Sequence, residues 1–293
     1  MSQDPASTDP WTIRRVLDWT RGHFDKQQID AARLTAELLL AHVLSTTRVK
    51  LFMDLDRPLT KDELATYKAL IQRRLAYEPT QYLIGQKEFY GRPFKVDARV
   101  LIPRPETELL VQTVLGLLPK DAPARVLDLC TGSGCIAISI AAERPLTSVW
   151  ATDLSADAIE VAKANAEALQ VSGRVTFFKG DLFAPVPDDA RFDVIVSNPP
   201  YISSAQLPGL QHEVRREPKL ALDGGADGLA VIRPLVAASL PRLKAGGWLA
   251  LEIDEDQGPP VKALLEAAGA VDVRIDKDFA RHERMVFGRA RAS

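Results

Sequence analysis

The sequence predicts an α/β fold: a mostly parallel, seven-stranded sheet with an antiparallel hairpin at one edge, preceded by a small all-helical domain and a β-hairpin linker. The first 80 or so residues place apolar side chains at helical spacing. From residue 125 onward, apolar strand-like runs alternate with helical stretches, which is typical of a doubly wound sheet. The predicted domains are residues 1–83, 84–105 and 106–293.

Composition favours an ordinary globular protein. Of the 293 residues, 46% are hydrophobic and 26% are charged, and no apolar run is long enough for a membrane helix. Residues 1–10 lack the basic and apolar regions of a secretory signal, so we expect a cytoplasmic protein without membrane contact. The net charge of −2 disfavours a protein that coats nucleic acid. The two cysteines and four histidines lack zinc-ligand spacing, so no metal site is predicted.

Three helices are predicted in the first domain. Each has a polar residue suited to its N-cap, namely Asp9 (before Pro10), Asp30 and Thr60. Glu63 completes a capping box with Thr60, and this third helix is expected to run to about residue 77. Residues 1–84 carry 12 basic and 11 acidic side chains, so the predicted bundle has no strongly charged surface.

The linker and the sheet follow. Aromatic and β-branched residues flank Gly91, which predicts a hairpin, and Pro103 and Pro105 predict a rigid turn before a helix that ends near residue 118. The predicted strands are residues 125–129, 149–152, 175–178, 192–197, 248–253, 271–275 and 284–288. The predicted helices between them are residues 136–143, 156–169, 230–243 and 260–268. No helix separates the last two strands, so they are expected to form the edge hairpin.

A glycine-rich turn after the first strand of the sheet predicts a nucleoside site. Gly132 and Gly134 allow a tight turn and a close approach of the backbone to a ligand. Asp153, at the end of the second strand, can accept both ribose hydroxyls, and Asp181, after the third strand, can accept the adenine amino group. The turn also matches the G-x-G-x-x-A pattern of nicotinamide dehydrogenases. Asp128 disfavours that interpretation, because a carboxylate before the loop attracts an ammonium group and repels a pyrophosphate. S-adenosylmethionine has an ammonium group and no phosphate, so it is the expected cofactor.

Asn198-Pro199-Pro200-Tyr201 follows the strand 192–197 at its carboxyl end, where open α/β sheets bind ligands. The side-chain carbonyl of Asn198 and the backbone carbonyl of Pro199 can accept the two N–H groups of a planar NH₂. Pro200 stiffens the loop, and Tyr201 can pack against the flat face of that group. Orientation of this kind is worth up to about 7–11 kcal/mol. These four residues are therefore the candidate catalytic and substrate-binding residues for methyl transfer to an amide or exocyclic amine nitrogen.

Two further stretches of sequence narrow the choice of substrate class. Asn-Pro-Pro-Tyr is shared by adenine N6-methyltransferases and by the ribosomal-protein glutamine methyltransferase. Residues 88–94 with 101–108, and residues 217–225 with 227–229, match the linker and the loop after the reactive motif in one family. Over nearly the whole chain the sequence resembles the peptide chain release factor glutamine methyltransferases, the HemK/PrmC family of class I S-adenosylmethionine-dependent methyltransferases.

The resemblance implies a reaction, a partner and a set of contacts. The methyl group goes to the side-chain amide nitrogen of the glutamine in the Gly-Gly-Gln motif of class 1 release factors, and the helical domain grips another part of the release factor. The implied cofactor contacts are Cys130, Thr131, Gly132, Ser133, Gly134, Asp153, Asp181, Leu182 and Asn198. Cys130 departs from the glycine that is usual in the family. Leu182 replaces an aromatic residue that some members carry.

Other functions stay open at this point. An adenine N6-methyltransferase would use the same reactive loop but would be expected to bring a basic groove or a base-flipping domain. A glutamine methyltransferase acting on a ribosomal protein is the nearer alternative, and an intact reactive loop disfavours a non-catalytic docking module. We expect no stable nucleic-acid binding and a monomer. Arg104 and Glu106 could line the substrate entrance or simply begin a helix, and Arg215, Arg216 and Lys219 could form a partner patch or a solvated face.

Overall fold

The computed structural model describes residues 10–292, which form two compact units. The first unit contains the described residues up to Gly85 and the segment His212–Arg216. The second contains Gln86–Gln211 and the described residues from Glu217 onward, so the predicted hairpin clusters with the sheet. The three-part division predicted above stays a prediction. Within residues 10–292, no helix is long and apolar enough to span a bilayer.

The first unit is a small helical bundle. Its helices are α1 (Ile13–Lys26), α2 (Ala32–Val43), α3 (Arg48–Met53), α4 (Lys61–Leu75) and α5 (Thr80–Ile84). Phe24, Leu39, Leu40 and Tyr67 are fully buried between them. The hydroxyl of Tyr67 donates to the carbonyl of Ala36 at 3.0 Å, so this buried polar atom is satisfied.

The caps of these helices test the sequence predictions. The capping box of Thr60 and Glu63 is confirmed. The Asp30 prediction is wrong: Ala31 is the N-cap of α2, in a left-handed conformation with φ 47°, and makes no side-chain cap bond. Asp30 instead offers its backbone carbonyl to Thr35. The N-cap of α1 is Thr12, whose side chain accepts from Arg15 N, while Asp9 lies outside the described residues.

The second unit begins with the hairpin of β1 and β2 and continues with alternating helices and strands. Its elements are β1 (Gln86–Phe89), β2 (Arg92–Lys95), α6 (Pro105–Leu117), β3 (Ala124–Leu129), α7 (Cys135–Glu143), β4 (Thr147–Asp153), α8 (Ala156–Ala168), β5 (Val175–Lys179), β6 (Phe192–Ser197), α9 (Ile232–Ser239), β7 (Leu243–Glu252), α10 (Gly258–Ala267), β8 (Val271–Lys277) and β9 (Glu283–Arg289). The helix predicted over 230–243 is shorter, because the chain tightens into a 3₁₀ turn, Leu240–Arg242, at Pro241.

The seven-stranded sheet has the order β5-β4-β3-β6-β7-β9-β8. Strands β3 to β7 are parallel, and β9 runs antiparallel between β7 and the edge strand β8, which confirms the predicted fold class and edge hairpin. Successive residues of β3, Val126 and Leu127, belong to two different apolar clusters, so helices cover both faces. The register pairs Leu129 with Ser197 and Ser197 with Leu251, which brings the carboxyl ends of β3, β6 and β7 to one edge.

Candidate active site

A cavity of about 350 Å³ opens in the second unit at the carboxyl ends of these strands. Seven of the predicted site residues line it: Cys130, Gly132, Asp153, Asp181, Leu182, Asn198 and Pro200. The glycine-rich loop, the ends of β4 and β5 and the reactive loop therefore meet in one cavity. The other six predicted residues do not line it: Asp128, Thr131, Ser133, Gly134, Pro199 and Tyr201. Five of these six are buried and Tyr201 is half-buried, so direct ligand contacts from them stay predictions.

Asp128 is a buried carboxylate behind the glycine-rich loop. Its Oδ2 accepts from Thr131 Oγ1 at 2.6 Å and from Ala137 N at 3.2 Å, which holds the loop on the helix that follows. Among the described residues, its Oδ1 has no hydrogen-bond partner. Burial raises the pKa of Asp128 to about 7, against the opposing effect of those two hydrogen bonds. A buried carboxylate oxygen without a partner fits a cationic ligand group such as an ammonium.

The backbone of the glycine-rich loop explains two of its residues. Gly134 has φ +80°, and a Cβ at this position would lie 2.8 Å from Ile138 Cδ1 and 3.1 Å from Ala162 Cβ. A larger residue would crowd Ile138 on α7 and Ala162 on α8 and would be strained at this φ. Cys130 also has a left-handed conformation, with φ 60°, which costs a non-glycine residue about 1–2 kcal/mol. This strain is the physical reason why glycine suits that position.

Asp153 holds the turn on the other side of the cavity. Its Oδ2 accepts from Gly132 N at 2.8 Å, and its Oδ1 accepts from Ser155 N at 2.9 Å. Burial raises the pKa of Asp153, and these backbone bonds oppose the rise. Each carboxylate oxygen keeps a second lone pair, so both can still accept a hydroxyl. Thr152, the preceding residue, donates its hydroxyl to the carbonyl of Leu182 at 3.0 Å and so fixes the loop after β5.

Asn165 is a buried residue of α8 that the sequence analysis missed. Its Nδ2 donates to the carbonyls of Ser133 at 2.9 Å and Lys95 at 3.1 Å, and its Oδ1 accepts from Lys95 N at 2.7 Å. One side chain therefore joins the hairpin to the glycine-rich loop. An asparagine within an otherwise apolar helix face was the available signal.

The reactive loop is held by two residues that were also missed. Asn198 Nδ2 donates to Thr107 Oγ1 at 3.1 Å, in the first turn of α6, and to Glu252 Oε1 at 2.8 Å, at the end of β7. Both N–H groups of the amide are thereby engaged, so Oδ1 is the atom that Asn198 can offer to the cavity. Tyr201 points its hydroxyl toward the same Glu252 oxygen, at 3.5 Å.

Glu252 is 2% exposed, and among the described residues its Oε2 has no hydrogen-bond partner. Burial raises the pKa of Glu252 to about 7, while hydrogen bonds from Thr107 and Asn198 oppose the rise. The signal in the sequence was a carboxylate at the end of an apolar strand. Its importance depends on β7 lying next to β6, which a linear pattern does not reveal.

The stretches that carried the resemblance make contacts near the reactive loop and with one another. Gln257 Nε2 donates to the carbonyls of Tyr201 at 2.9 Å and Gly228 at 3.3 Å. A Cβ on Gly228 would collide with the carbonyl of Tyr201, so glycine is required there. Glu217 accepts from Ile102 N at 2.9 Å and from Arg104 Nη2 at 2.6 Å, which ties the linker stretch to the stretch after the reactive motif. Arg104 is therefore half-buried in an ion pair within this unit.

Comparison with known proteins identifies the family. The sequence model described as PrmC N-terminal domain matches residues 15–85, and the one described as Methyltransferase small domain matches residues 105–222. The chain is 45% identical over 280 residues to the release factor glutamine methyltransferase of Geobacter sulfurreducens, covering 95% of this chain and 97% of that protein. It is 43% identical over 284 residues to the protein of that name from Chlorobaculum tepidum, covering 94% and 96%.

Solved structures agree on the fold. The catalytic domain of hMettl16, solved with the MAT2A 3′UTR hairpin 6, aligns with a TM-score of 0.57 at 18% identity, covering 76% of this chain and 82% of that one. A methyltransferase from Pyrococcus furiosus aligns with a TM-score of 0.52 at 18% identity, covering 75% and 98%. The extent and identity of the curated matches, together with the residues that meet at the cavity, show that this chain belongs to the release factor glutamine methyltransferase family, PrmC/HemK, of S-adenosylmethionine-dependent methyltransferases.

Proposed function

We propose that this protein methylates the side-chain amide nitrogen of the glutamine in the Gly-Gly-Gln motif of class 1 peptide chain release factors. The observation that carries the proposal is that the glycine-rich loop and residues Asn198 and Pro200 of the reactive loop line the same cavity. A nucleoside cofactor and a planar amide can therefore meet there. The relatives that carry the name release factor glutamine methyltransferase match nearly the whole chain.

The residues around the cavity fit S-adenosylmethionine. The unpartnered Oδ1 of Asp128 suits the ammonium of the methionine part, and the carboxylate of Asp153 suits the ribose hydroxyls. Leu182 offers an apolar contact for the adenine ring, with Asp181 beside it for the amino group. When bound, the cofactor supplies an electrophilic methyl group.

The reactive loop orients a weak nucleophile. An amide nitrogen reacts poorly because its lone pair is delocalised into the carbonyl. Asn198 Oδ1 and the backbone carbonyl of Pro199 accept the two N–H groups, which holds the nitrogen in place and stabilises the positive charge that develops on it. The proton becomes acidic only as the nitrogen is alkylated, so no strong base is required.

We assign recognition of the release factor to the helical unit. Its nearly balanced charge, with 12 basic and 11 acidic side chains over residues 1–84, suits a protein surface better than a phosphate backbone. We also propose that the protein is a cytoplasmic monomer and that it binds no nucleic acid stably. Gel filtration alone tests the monomeric state, gel filtration with the release factor tests complex formation, and a gel-shift assay tests RNA binding.

The function is tested by methyl transfer from labelled S-adenosylmethionine. The substrates are a purified class 1 release factor, the same factor with its Gly-Gly-Gln glutamine changed to alanine, a ribosomal-protein fraction, and bulk DNA and RNA. Label on the intact release factor alone, placed on that glutamine by peptide mass spectrometry, is the expected result. Label on nucleic acid would replace the proposal with adenine methylation, and label on a ribosomal protein would move the substrate to that protein.

Asn198→Ala should abolish or nearly abolish methyl transfer, with a loss of about 100-fold or more, because the substrate amide loses an acceptor that orients it. The cofactor dissociation constant, measured by calorimetry, should change by less than about tenfold, and circular dichroism should show an intact fold. Unchanged turnover in this variant would contradict the assigned mechanism.

A further inference from the structure

Glu252 and Thr107 bracket the amide group of Asn198, and neither residue lines the cavity. We propose that Glu252, assisted by Thr107, is a positioning residue that fixes which end of the Asn198 amide faces the substrate. This inference rests on the proposed function, because it concerns the acceptor that would hold the substrate amide. Glu252 acts on the reaction through Asn198.

The argument begins with the two ends of the amide. Its NH₂ end donates and its carbonyl end accepts, and the two have nearly the same shape. Above pH 7 the carboxyl of Glu252 is mainly ionised and can only accept, so it binds the NH₂ end and repels the carbonyl end. With the amide reversed, Asn198 would place an oxygen about 2.8 Å from Glu252 Oε1, and the substrate would meet a donor. A threonine hydroxyl can donate or accept, so Thr107 alone does not choose between the two orientations.

The surroundings strengthen this choice. Ser197 pairs with Leu251 across β6 and β7, so the next residues, Asn198 and Glu252, lie side by side at the sheet edge. Glu252 is almost fully buried, where charge-assisted hydrogen bonds are strong. A buried carboxylate whose second oxygen has no partner destabilises the fold, so stability does not explain why Glu252 is there. Orienting the neighbouring amide of Asn198 is a functional role that does explain it.

The first test compares Glu252→Met, which removes the acceptor, and Glu252→Gln, which presents either an acceptor or a donor. Exposed Glu266→Gln on α10 is the control. We expect kcat to fall about 10- to 100-fold in Glu252→Met and less in Glu252→Gln, with KM for the release factor and cofactor affinity within about threefold of wild type. Thermal midpoints should stay equal or rise, because a buried charge is removed. Wild-type kcat in Glu252→Met would overturn the inference, whereas no turnover in the wild-type protein would overturn the proposed function instead.

The second test asks whether Glu252 acts through Asn198. Thr107→Ser keeps the hydroxyl and should retain most of the wild-type kcat, whereas Thr107→Val should lose part of it. In single-turnover assays, the double variant of Asn198→Ala with Glu252→Met should be no slower than Asn198→Ala alone, because the residue being positioned is already gone. A further fall of about tenfold in the double variant would show that Glu252 acts directly on the reacting groups and would contradict a positioning role.

Discussion

Two buried carboxylates stand behind the cavity, and each has one oxygen that no described residue satisfies. Asp128 lies at the glycine-rich loop and Glu252 at the reactive loop, and burial raises the pKa of each to about 7. Such groups destabilise the folded protein while the site is empty. They favour binding when a ligand or a neighbouring amide donates a hydrogen bond to them. The stability of the protein and its activity therefore compete at these two residues.

The free energy of unfolding should reveal this competition at Asp128. Its folded pKa of about 7 lies above the ordinary value of 3.8, so the folded protein binds the proton more tightly. Stability should therefore fall as pH rises from about 4 to about 7. Asp128→Asn should reduce this fall and raise stability near neutral pH. If Asp128 binds the ammonium as proposed, the same change should weaken cofactor binding about tenfold or more, because the negative charge is lost.

Urea unfolding of the cofactor-free protein across this pH range is the measurement, with calorimetry for cofactor affinity. Asp189→Asn, at an exposed loop position, is the control and should follow the wild-type pH dependence. An identical pH dependence in Asp128→Asn and the wild type would contradict the raised pKa of Asp128.

Whole elements of the sheet could be predicted because their patterns are local. The largely apolar segment of β6, Phe192–Ser197, predicts a buried strand, and the structure has the same bounds. The short helices α3 and α5 were not predicted, because six and five residues are too few to show a repeating helical pattern. The partners of Asn198 escaped for a different reason. Thr107 and Glu252 lie 91 and 54 residues away in the chain, and only the packing of α6 and β7 beside β6 brings them together.

Asn165 tests how strongly α8 supports its neighbouring elements. Asn165→Leu should lower the free energy of unfolding of the second unit by about 2–4 kcal/mol, because buried backbone groups of Lys95 and Ser133 lose their partner. Cofactor affinity should fall as well, since Ser133 belongs to the glycine-rich loop. Lys163→Leu, an exposed position on the same helix, should change stability by less than about 0.5 kcal/mol. Chemical unfolding of both variants checks this, and equal stabilities would show that the bonds of Asn165 are dispensable.

At the scale of the whole molecule, the segment His212–Arg216 belongs to the helical unit although it lies far along the chain. Arg74, whose side chain is 4% exposed, forms an ion pair with Glu213. Tyr77 stacks on His212 with ring centroids 4.3 Å apart, and Arg216 donates to the carbonyl of Ala76 at 2.7 Å. The basic run of Arg215, Arg216 and Lys219 is therefore divided between the two units.

Glu213→Gln should destabilise the helical unit, because it leaves the buried guanidinium of Arg74 without its counter-charge. We expect a loss of about 2–3 kcal/mol, or about 10–20 °C in the unfolding midpoint of a unit of this size. Hydrogen exchange followed by mass spectrometry should show faster exchange in α4 and no change in β3 and β6. Asp227→Asn, which breaks an exposed pair with Arg233, is the control and should leave both units unchanged. Protection of α4 equal to wild type in Glu213→Gln would contradict a stabilising role for this segment.

The same segment sets a rule for building hybrid proteins. A chimaera that exchanges helical units between two relatives by a single crossover near Gly85 would transplant five helices and leave their sixth contributor, His212–Arg216, behind in the recipient. Arg74 of one parent would then face whatever the other parent carries at position 213. Exchange of the complete helical unit between relatives therefore requires two replaced segments, the residues up to Gly85 and residues 212–216, and hence three crossovers.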